Sequence, residues 1–308
     1  MRLSRNIVAN PGKRHYTGTE RNNRHFGAAE RGETFMRSAA IAMCQIQTEA
    51  DRSATLRQAE TMIRRAAAEG AELVVLPEMF FCPYVTERFR AFAEPDGGEA
   101  CAAMADWARE NRVVLVGGTF PEREGERLYN TCVVYDESGR RLAKYRKTHL
   151  FEIDLKDGTA FRESDTFTPG SELCVFDTRL GRIGLAVCFD LRFPELFRAL
   201  AQRGAELILV PAQFTVKTGS LHWEKLITMR ALDNELFVAG VSAARNPASG
   251  YTCWGHSLLA DPFGGVLAEC GTGPECRIVK IDFDEIARVR AQLPTFLHPR
   301  RDLYPVAD

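Results

Sequence analysis

The hydrophobic pattern from residue 38 onward alternates between short apolar runs and stretches of helical periodicity. Residues 39–46 form an apolar run of strand length, and residues 72–77 form another. Between them, apolar side chains recur at the three- and four-residue spacing of a helix: Leu56, Ala59, Ile63 and Ala67. Residues 100–108 and 113–116 repeat the helix and the strand. This strand–helix–strand order predicts parallel strands with helices packed on them.

Two hairpin signals interrupt this order in the middle of the chain. Residues 128–135 and 141–147 flank the turn sequence Asp-Glu-Ser-Gly, and residues 173–176 and 183–187 flank a second turn. Further patterns predict helices at 194–202, 223–232 and 285–292 and strands at 206–210, 237–242, 257–260, 266–269 and 277–281. No composition shift divides residues 37–308, so we expect a single α/β domain with mixed sheets there.

The first 36 residues differ from the rest in charge and in pattern. Residues 1–35 carry seven Lys and Arg against three acidic residues, a net charge of +4 that leaves −5 for the remainder. Their sparse, aperiodic apolar residues predict a disordered basic arm at 1–36. An arginine-rich, acid-poor start is also typical of a transit peptide. We favour a non-native segment upstream of a true start at Met36, because the first strand begins directly after it.

Composition and charge exclude several classes of protein. The 308 residues are 45% hydrophobic and 26% charged, as in globular proteins with a sizeable core. A net charge of −1 excludes an overall basic chain that binds nucleic acid through its phosphates, and no apolar run approaches a membrane span. The nine cysteines include no Cys-x-x-Cys pair, and the histidines lack metal-ligand spacing. We expect reduced thiols and a cytoplasmic location.

An internal repeat points to Glu78. Segments 70–80 and 204–214 both read Gly-Ala-Glu-Leu, then three apolar residues, a proline and, three residues later, a phenylalanine. Eight residues after its first glycine, one copy has Glu78 and the other has Ala212. A purely structural repeat has no use for a carboxylate there. The apolar neighbours of Glu78 should raise the pKa of its carboxyl and suit it to proton transfer. The alternative is that Glu78 is a surface acid at the start of a loop.

Cys188 is the best candidate for a nucleophile. It ends the apolar run 183–187 and precedes the predicted helix at 194–202. A thiol between a strand end and a helix N-terminus gains from the local positive potential, which favours the thiolate. The alternative is a buried structural cysteine, the commonest fate of this residue type.

Lys147 is a weaker candidate on its position alone. It follows the strand predicted over 141–147 and shares one face with Ala143 and Tyr145. Lysines are usually solvated, so position does not distinguish a functional lysine from a surface one. His149 lies on the same side and is a competing general base for a Cys–His pair.

Three segments, taken in order, resemble the signatures of the carbon–nitrogen hydrolase (nitrilase) superfamily. They are Leu-Pro-Glu at 76–78, Tyr-Arg-Lys-Thr-His-Leu-Phe at 145–151 and Val-Cys-Phe-Asp-Leu-Arg-Phe-Pro-Glu at 187–195. The resemblance covers residues 38 to 305 and leaves the arm outside. It implies an αββα sandwich of two mixed sheets flanked by helices, which pairs through one helical face into homodimers or larger homo-oligomers.

The resemblance also implies roles for four residues. The acid, lysine and cysteine of the family's catalytic triad correspond to Glu78, Lys147 and Cys188, and its second glutamate corresponds to Glu163, which supports the lysine or positions the water. The reaction is then acyl transfer from an amide through a thioester. Glu78 takes the thiol proton, Lys147 and the backbone N–H of Phe189 stabilise the oxyanion, and water releases the acid. No metal or organic cofactor is needed, because side chains supply the nucleophile and the proton transfers.

Further segments resemble an omega-amidase-like subgroup, which hydrolyses the terminal amide of 2-oxoglutaramate and 2-oxosuccinamate. They are residues 147–154, 161–164, 222–223, 254–257 and 301–304. The chain departs from this subgroup at 211–214, where Pro-Ala-Gln-Phe stands in place of Pro-Gly-Ala-Phe. The partner implied is a small-molecule amide, with no nucleic acid and no membrane.

Arg192, four residues after the predicted nucleophile, is expected to pair with a substrate carboxylate. The alternative is an ion pair with Glu195 on the same helix. Phe214, Thr218 and Tyr84 are further candidates for the pocket wall.

Other functions stay open on sequence grounds. Deaminated glutathione amidases and N-carbamoyl amidases fit the same triad. A non-catalytic scaffold that keeps the fold for partner binding is an alternative from another class. A binder of RNA or membranes would rest on the basic arm alone.

Overall fold

The computed structural model describes residues 37–154, 160–300 and 302–303, so the predicted disordered arm at 1–36 lies outside the described residues. The helices of the described part are α1 (Arg52–Ala68), α2 (Thr86–Phe92), α3 (Glu99–Asn111), α4 (Pro194–Gln202), α5 (Val216–Asn234) and α6 (Asp284–Gln292). Its strands are β1 (Ser38–Gln45), β2 (Leu73–Val75), β3 (Glu94–Pro95), β4 (Val114–Glu124), β5 (Arg127–Tyr135), β6 (Arg141–Arg146), β7 (Glu152–Asp154), β8 (Ala160–Arg162), β9 (Cys174–Asp177), β10 (Arg182–Leu185), β11 (Leu207–Ala212), β12 (Phe237–Ser242), β13 (Leu258–Ala260), β14 (Val266–Glu269) and β15 (Glu275–Asp282). None of the described helices is both long and apolar enough to cross a membrane.

Two mixed sheets are built on the same plan. In the first, the strands lie in the order β15-β1-β2-β4-β5-β6, and short β3 pairs with β4. The second has the order β14-β13-β12-β11-β10-β9. Strands β1, β2 and β4 run parallel in one sheet, as β10, β11 and β12 do in the other, and antiparallel strands extend both sets. Strands β7 and β8 form a separate hairpin.

The two sheets pack face to face, and helices cover their outer faces. Alternate residues of β1 show both layers: Ile41 and Met43 lie in the core between the sheets, whereas Ala42 and Cys44 pack under the helices. Helices α1 and α3 cover the first sheet, and α4 and α5 cover the second. Burial on both faces explains why the strands read as continuous apolar runs. The predicted αββα sandwich of two mixed sheets is confirmed.

The internal repeat occupies equivalent places in the two halves. Gly70 follows α1 and Gly204 follows α4, with φ of +95° and +88°, the left-handed conformation that ends a helix. The next residue donates its N–H back to the last turn in both copies, to Ala66 and to Leu200 respectively. Each copy then enters the middle strand of a parallel triplet, β2 or β11. The repeat therefore reflects two related halves.

The structure extends some predicted elements and adds short ones. Helix α5 begins at Val216 rather than at the predicted residue 223, because Thr215 caps it by accepting a hydrogen bond from the Thr218 N–H. Strand β4 runs to Glu124, eight residues past its predicted end, after a bulge between Val116 and Thr119. The sequence pattern missed α2, β3, β7 and β8, which are too short to show a period.

Leu209→Ala is expected to lower the free energy of unfolding by about 2–5 kcal/mol. Leu209 lies in β11 with no exposed surface, inside the core between the sheets, so its truncation leaves a cavity. The matched control is Leu267→Ala in β14, where the side chain is 45% exposed and the loss should stay near 0.5 kcal/mol. Urea unfolding measures both. Equal losses in the two variants would contradict the assigned core.

Candidate active site

Glu78 lies in a tight turn directly after β2. The turn is fastened to β4, because the Met79 N–H donates to Thr119 Oγ1 at 2.8 Å and the Thr119 N–H donates to the Pro77 carbonyl at 3.2 Å. Gly118 has φ +59°, and a Cβ there would lie 2.1 Å from the Pro77 oxygen. Only glycine allows this approach. The β4 bulge thus fixes where the Glu78 carboxylate lies.

Lys147 follows β6 and joins two carboxylates in the interior. Its Nζ lies 2.8 Å from Glu78 Oε1 and 2.8 Å from Glu163 Oε2, and none of the three side chains has exposed surface. Asn130 on β5 donates from Nδ2 to Glu78 Oε1 at 2.8 Å and to Glu163 Oε1 at 2.9 Å. The backbone N–H of Phe151 donates to Glu163 Oε2 at 2.7 Å. The predicted lysine and both predicted glutamates therefore form one buried cluster.

Cys188 begins a 3₁₀ helix, Cys188–Arg192, just after β10. Its φ is +45°, a left-handed conformation that costs a residue other than glycine about 1–3 kcal/mol and that occurs often at active sites. The side chain is 4% exposed, and its Sγ lies 3.8 Å from the carbonyl oxygen of Gln213. The strained turn therefore places the thiol in the interior beside the cluster.

Asp190 fixes the Cys188 turn to the segment that follows Lys147. One carboxylate oxygen accepts hydrogen bonds from the Val187 N–H and the Tyr145 hydroxyl, both at 2.8 Å. The other accepts from Thr148 and from the His149 backbone, and lies 2.8 Å from His149 Nδ1. The His149 ring also stacks on that of Phe193. His149 is thus held by Asp190, whereas Glu78 is the base that interacts electrostatically with the thiol.

Burial and charge set the protonation states of the cluster. Burial raises the pKa of Glu78, and the charge of Lys147 offsets part of that effect. Burial alone lowers the pKa of Lys147, but the charges of Glu163 and Glu78 outweigh it, so that pKa is raised. Burial, followed by the charge of Glu78, raises the pKa of Cys188 well above its ordinary value. Lys147 is therefore a standing cation, and Glu78 is suited to accept a proton from the thiol.

The positive potential of the following helix favours the thiolate of Cys188. Burial and the charge of Glu78 outweigh that effect and raise the pKa of the thiol. A base that removes the proton during the reaction is therefore required.

A small cavity opens onto Cys188. It is lined by Phe151, Cys188, Phe189, Arg192, Gln213, Phe214, Thr218 and Tyr251. Four predicted pocket residues, Phe189, Arg192, Phe214 and Thr218, thus belong to its wall. Tyr84 does not line it but packs behind it, with its ring centroid 4.8 Å from that of Tyr251.

Arg192 carries a charge at this cavity without a carboxylate partner. Its guanidinium lies 5.6 Å from the ring centre of Phe189 and 5.1 Å from that of Phe214. Its Nη1 lies 3.3 Å from His222 Nδ1. Among the described residues no carboxylate lies within 4 Å of it, so the alternative ion pair with Glu195 is not formed. The cavity therefore offers an unneutralised cation to a ligand.

Sequence reasoning missed Asn130 and Gln213. Asn130 left a signal, because it is a polar residue within the apolar run 128–135. Gln213 follows β11 and links both halves of the site: its Nε2 donates to the Glu78 carbonyl at 2.7 Å, and its own carbonyl accepts from Tyr251 at 2.7 Å. In the internal repeat Gln213 aligns with Met79. Because the two copies differ there, the repeat gave no indication of a function for Gln213.

No group of three or more His, Cys, Asp or Glu side chains in the described part of the chain could hold a metal ion. The polar groups that surround Cys188 are two carboxylates, an ammonium, amides and a guanidinium. Such a set suits proton transfer and the stabilisation of a developing oxyanion.

Comparison with known proteins gives one family. A family model for carbon-nitrogen hydrolases matches residues 40–291 of this chain. The human protein named omega-amidase NIT2 (Homo sapiens) is 42% identical over 271 residues, which cover 88% of this chain and 98% of the relative. The chain thus aligns with nearly the full length of this relative.

Solved structures with the same fold include an amidase. Saccharomyces cerevisiae Nit3, described as a member of branch 10 of the nitrilase superfamily, matches with a TM-score of 0.79 and 36% identity over 86% of this chain and 96% of its own. A mutant of the amidase from Nesterenkonia sp. AN1 matches with a TM-score of 0.71 and 29% identity over 84% of this chain and 100% of its own. That structure shows the product of Michael addition of acrylamide to the active-site cysteine.

The rate at which iodoacetamide alkylates Cys188 should rise with pH as Glu78 loses its proton. Asn130→Ala is expected to move the midpoint of this rise upward by about one pH unit. The substitution removes a hydrogen bond to charged Glu78, which raises the pKa of that carboxyl and delays its action as a base. Peptide mass spectrometry across a pH series measures the alkylation rate at Cys188.

The matched control for that experiment is Asn234→Ala. Asn234 is also a buried asparagine, but its Nδ2 donates to the Arg230 carbonyl within α5. This variant should show the same midpoint in the pH profile of Cys188 alkylation as the parent protein, even if its melting temperature falls. An unchanged midpoint of this pH profile in Asn130→Ala would contradict the assignment of Glu78 as the proton acceptor.

Proposed function

The chain belongs to the carbon–nitrogen hydrolase family, and we propose that within it this protein is an omega-amidase. As a member it is a hydrolase of carbon–nitrogen bonds other than peptide bonds. The proposed substrates are short half-amides of 2-oxo dicarboxylic acids, 2-oxoglutaramate and 2-oxosuccinamate, and the products are the dicarboxylate and ammonia. One observation carries the proposal: Cys188 and the unpaired Arg192 line one small cavity.

The first step of the proposed reaction is the attack of sulfur on the amide carbon. Glu78 accepts the Cys188 proton as the carbon–sulfur bond forms, and then passes it to the departing ammonia. The pKa of Glu78 is raised toward neutral pH, and this supports both transfers because the carboxyl can then both accept and donate a proton. General acid–base catalysis of this kind contributes about 10²–10⁴-fold.

The charge that develops on the amide oxygen needs donors within the site. The Lys147 ammonium has three protons, of which two point to Glu78 and Glu163. The third is available for the oxyanion. The Phe189 N–H, in the first turn of the 3₁₀ helix that Cys188 begins, is the second proposed donor.

Hydrolysis of the thioester completes the proposed cycle. Glu78 takes a proton from water, and the resulting hydroxide equivalent attacks the acyl carbon. The carbon–sulfur bond breaks, and Glu78 returns the proton to the Cys188 sulfur as the acid leaves. Glu78 Oε2 supports this step, because this buried oxygen has no hydrogen-bond partner among the described residues. Glu163 keeps Lys147 in place through both half-reactions. No metal or organic cofactor takes part in this scheme.

Arg192 is proposed to bind the carboxylate at the far end of the substrate. The guanidinium is half-buried at the cavity that holds Cys188, and a planar pair of N–H donors matches a carboxylate. The similarity to omega-amidase NIT2 favours a short half-amide over deaminated glutathione. The intact cluster of acid, lysine and thiol argues against a non-catalytic scaffold.

Three further properties are proposed on separate grounds. Residues 37–308 form a single domain, in line with the one compact unit found there and with the extent of the family match. The nine cysteines all lie in the described part and are free thiols, which supports a reducing compartment such as the cytoplasm. Homodimers or larger homo-oligomers are proposed because the resemblance to the family implies them.

Assays of ammonia release test the proposed substrate. We expect kcat/KM for 2-oxoglutaramate to exceed that for deaminated glutathione or carbamoylputrescine by at least about 10-fold. Cys188→Ala should lose at least about 10³-fold, whereas Cys174→Ser, which alters a half-buried thiol of β9, should keep the parent rate. A higher kcat/KM for deaminated glutathione would contradict the proposed substrate. If the protein released no ammonia from any of the amides, a non-catalytic scaffold would be favoured.

Arg192→Lys tests the carboxylate anchor. The ammonium cannot form the two-pronged pair, so KM for 2-oxoglutaramate should rise about 10-fold. KM for a neutral short amide such as propionamide should change little. Arg203→Lys, at an exposed arginine just after α4, is the control. Equal losses on acidic and neutral amides would discard the anchoring role.

A further inference from the structure

Two cysteines face each other between neighbouring strands, outside the site described above. Cys44 of β1 and Cys276 of β15 are directly opposite partners in the antiparallel register. Their sulfur atoms lie 3.7 Å apart. Neither residue lines the cavity at Cys188.

We propose that Cys44 and Cys276 form an oxidisable dithiol that hydrogen peroxide converts to a disulfide between β1 and β15. Cys276 is the thiol that peroxide attacks, and Cys44 is the thiol that resolves the product. The modification joins the edge strand of the first sheet, β15, covalently to the sheet.

The geometry favours closure over other fates of the oxidised sulfur. A disulfide needs Cα atoms about 4.4–6.8 Å apart, and directly opposed residues of an antiparallel pair lie about 4.5–5.5 Å apart. The ladder between these strands runs without a shift from Ser38 opposite Asp282 to Gln45 opposite Glu275. The sulfur atoms therefore need only side-chain rotation to come from 3.7 Å to bonding distance.

A surface groove gives peroxide access to only one of the two thiols. The groove lies between α1 and the start of β15, and its walls include Met62, Arg65, Pro274 and Cys276. Cys276 is half-buried there, whereas Cys44 is fully buried beneath it. Cys276 is thus the entry point, and Cys44 can be reached only through it.

Charge and hydrogen bonding support the same order of events. The pKa of Cys276 is lowered, first by its hydrogen bond with Cys44 and further by the charge of Arg65, although burial and Glu69 oppose this. The pKa of Cys44 is raised by the same hydrogen bond and by burial. Because Cys276 alone lines the groove, we place the thiolate that attacks peroxide at Cys276.

The chemistry balances with hydrogen peroxide as the only co-reactant. The Cys276 thiolate attacks one peroxide oxygen, the O–O bond breaks, and a sulfenic acid and one water form after proton uptake. Cys44 sulfur then attacks the sulfenic sulfur; the S–S bond forms, the S–OH bond breaks, and the Cys44 proton leaves with the hydroxyl as a second water. Both sulfur atoms are oxidised, and peroxide is reduced to water.

The other half-buried cysteine gives a matched comparison. Cys174 of β9 is also only partly buried, but burial raises its pKa to about 12. No sulfur atom in the described part of the chain lies within hydrogen-bonding distance of it. Cys174 is therefore accessible to solvent but has no neighbouring thiol with which it could form a disulfide.

Peptide mapping of the full-length protein tests the proposal. The reduced protein is treated with an equimolar amount of hydrogen peroxide, alkylated and digested, and the digest is analysed with and without reductant. The expected product is a reducible cross-linked peptide that joins Cys44 to Cys276, with Cys174 and Cys188 still alkylated as free thiols. In Cys44→Ser, dimedone should trap a sulfenic acid at Cys276, and Cys174→Ser should behave like the parent.

Several results would overturn the proposal. One is that Cys44 and Cys276 stay reduced while other thiols oxidise. Another is a cross-link from Cys276 to Cys270 instead of Cys44. Faster oxidation of Cys174 than of Cys276 would also contradict it. The parent protein alone decides the first two results, so the test does not depend on the folding of a variant.

Discussion

A single buried ammonium organises the site. Lys147 has no exposed surface, and moving such a charge out of water costs several kcal/mol unless carboxylates compensate. Glu78 and Glu163 supply that compensation at 2.8 Å each, and without the lysine the two acids would repel one another in a dry interior. Removing the lysine would leave two buried carboxylates without a counter-charge, a loss of about 3–5 kcal/mol, whereas removing one glutamate would leave Lys147 paired with the other. The two acids therefore depend on the lysine for their burial.

The sandwich of two sheets is what brings this cluster to the nucleophile. Glu78 follows β2 and Lys147 follows β6, both in the first sheet, whereas Cys188 follows β10 in the second. Asp190 and Gln213 connect the loops across the interface, one through the segment after Lys147 and the other through the Glu78 carbonyl. Loops at the carboxyl ends of strands can carry such residues because the packed sheets hold their ends rigid. The chemistry of the site therefore depends on the core between the sheets.

Much of this arrangement could be predicted from the sequence, and the parts that could not have definite physical causes. The apolar runs predicted a single α/β domain with mixed sheets, and the resemblance to the nitrilase superfamily implied the αββα sandwich. The contrast of Glu78 with Ala212 pointed to a functional carboxylate. The raised pKa of Cys188 could not be predicted from the neighbouring helix alone, because burial and a neighbouring charge arise only after folding. Gln213 acts through contacts with residues distant in sequence, which no local pattern encodes. Tyr84 was predicted at the cavity wall and lies behind it, since the pattern does not set the depth of a side chain.

Mass spectrometry of the enzyme during turnover tests the central claim most directly. The account predicts that rapid acid quenching of the enzyme with 2-oxoglutaramate yields a covalent adduct with the mass of the substrate minus ammonia. The adduct should map to Cys188 and disappear with hydroxylamine, as a thioester does. Turnover with no adduct, or an adduct at another side chain, would contradict it.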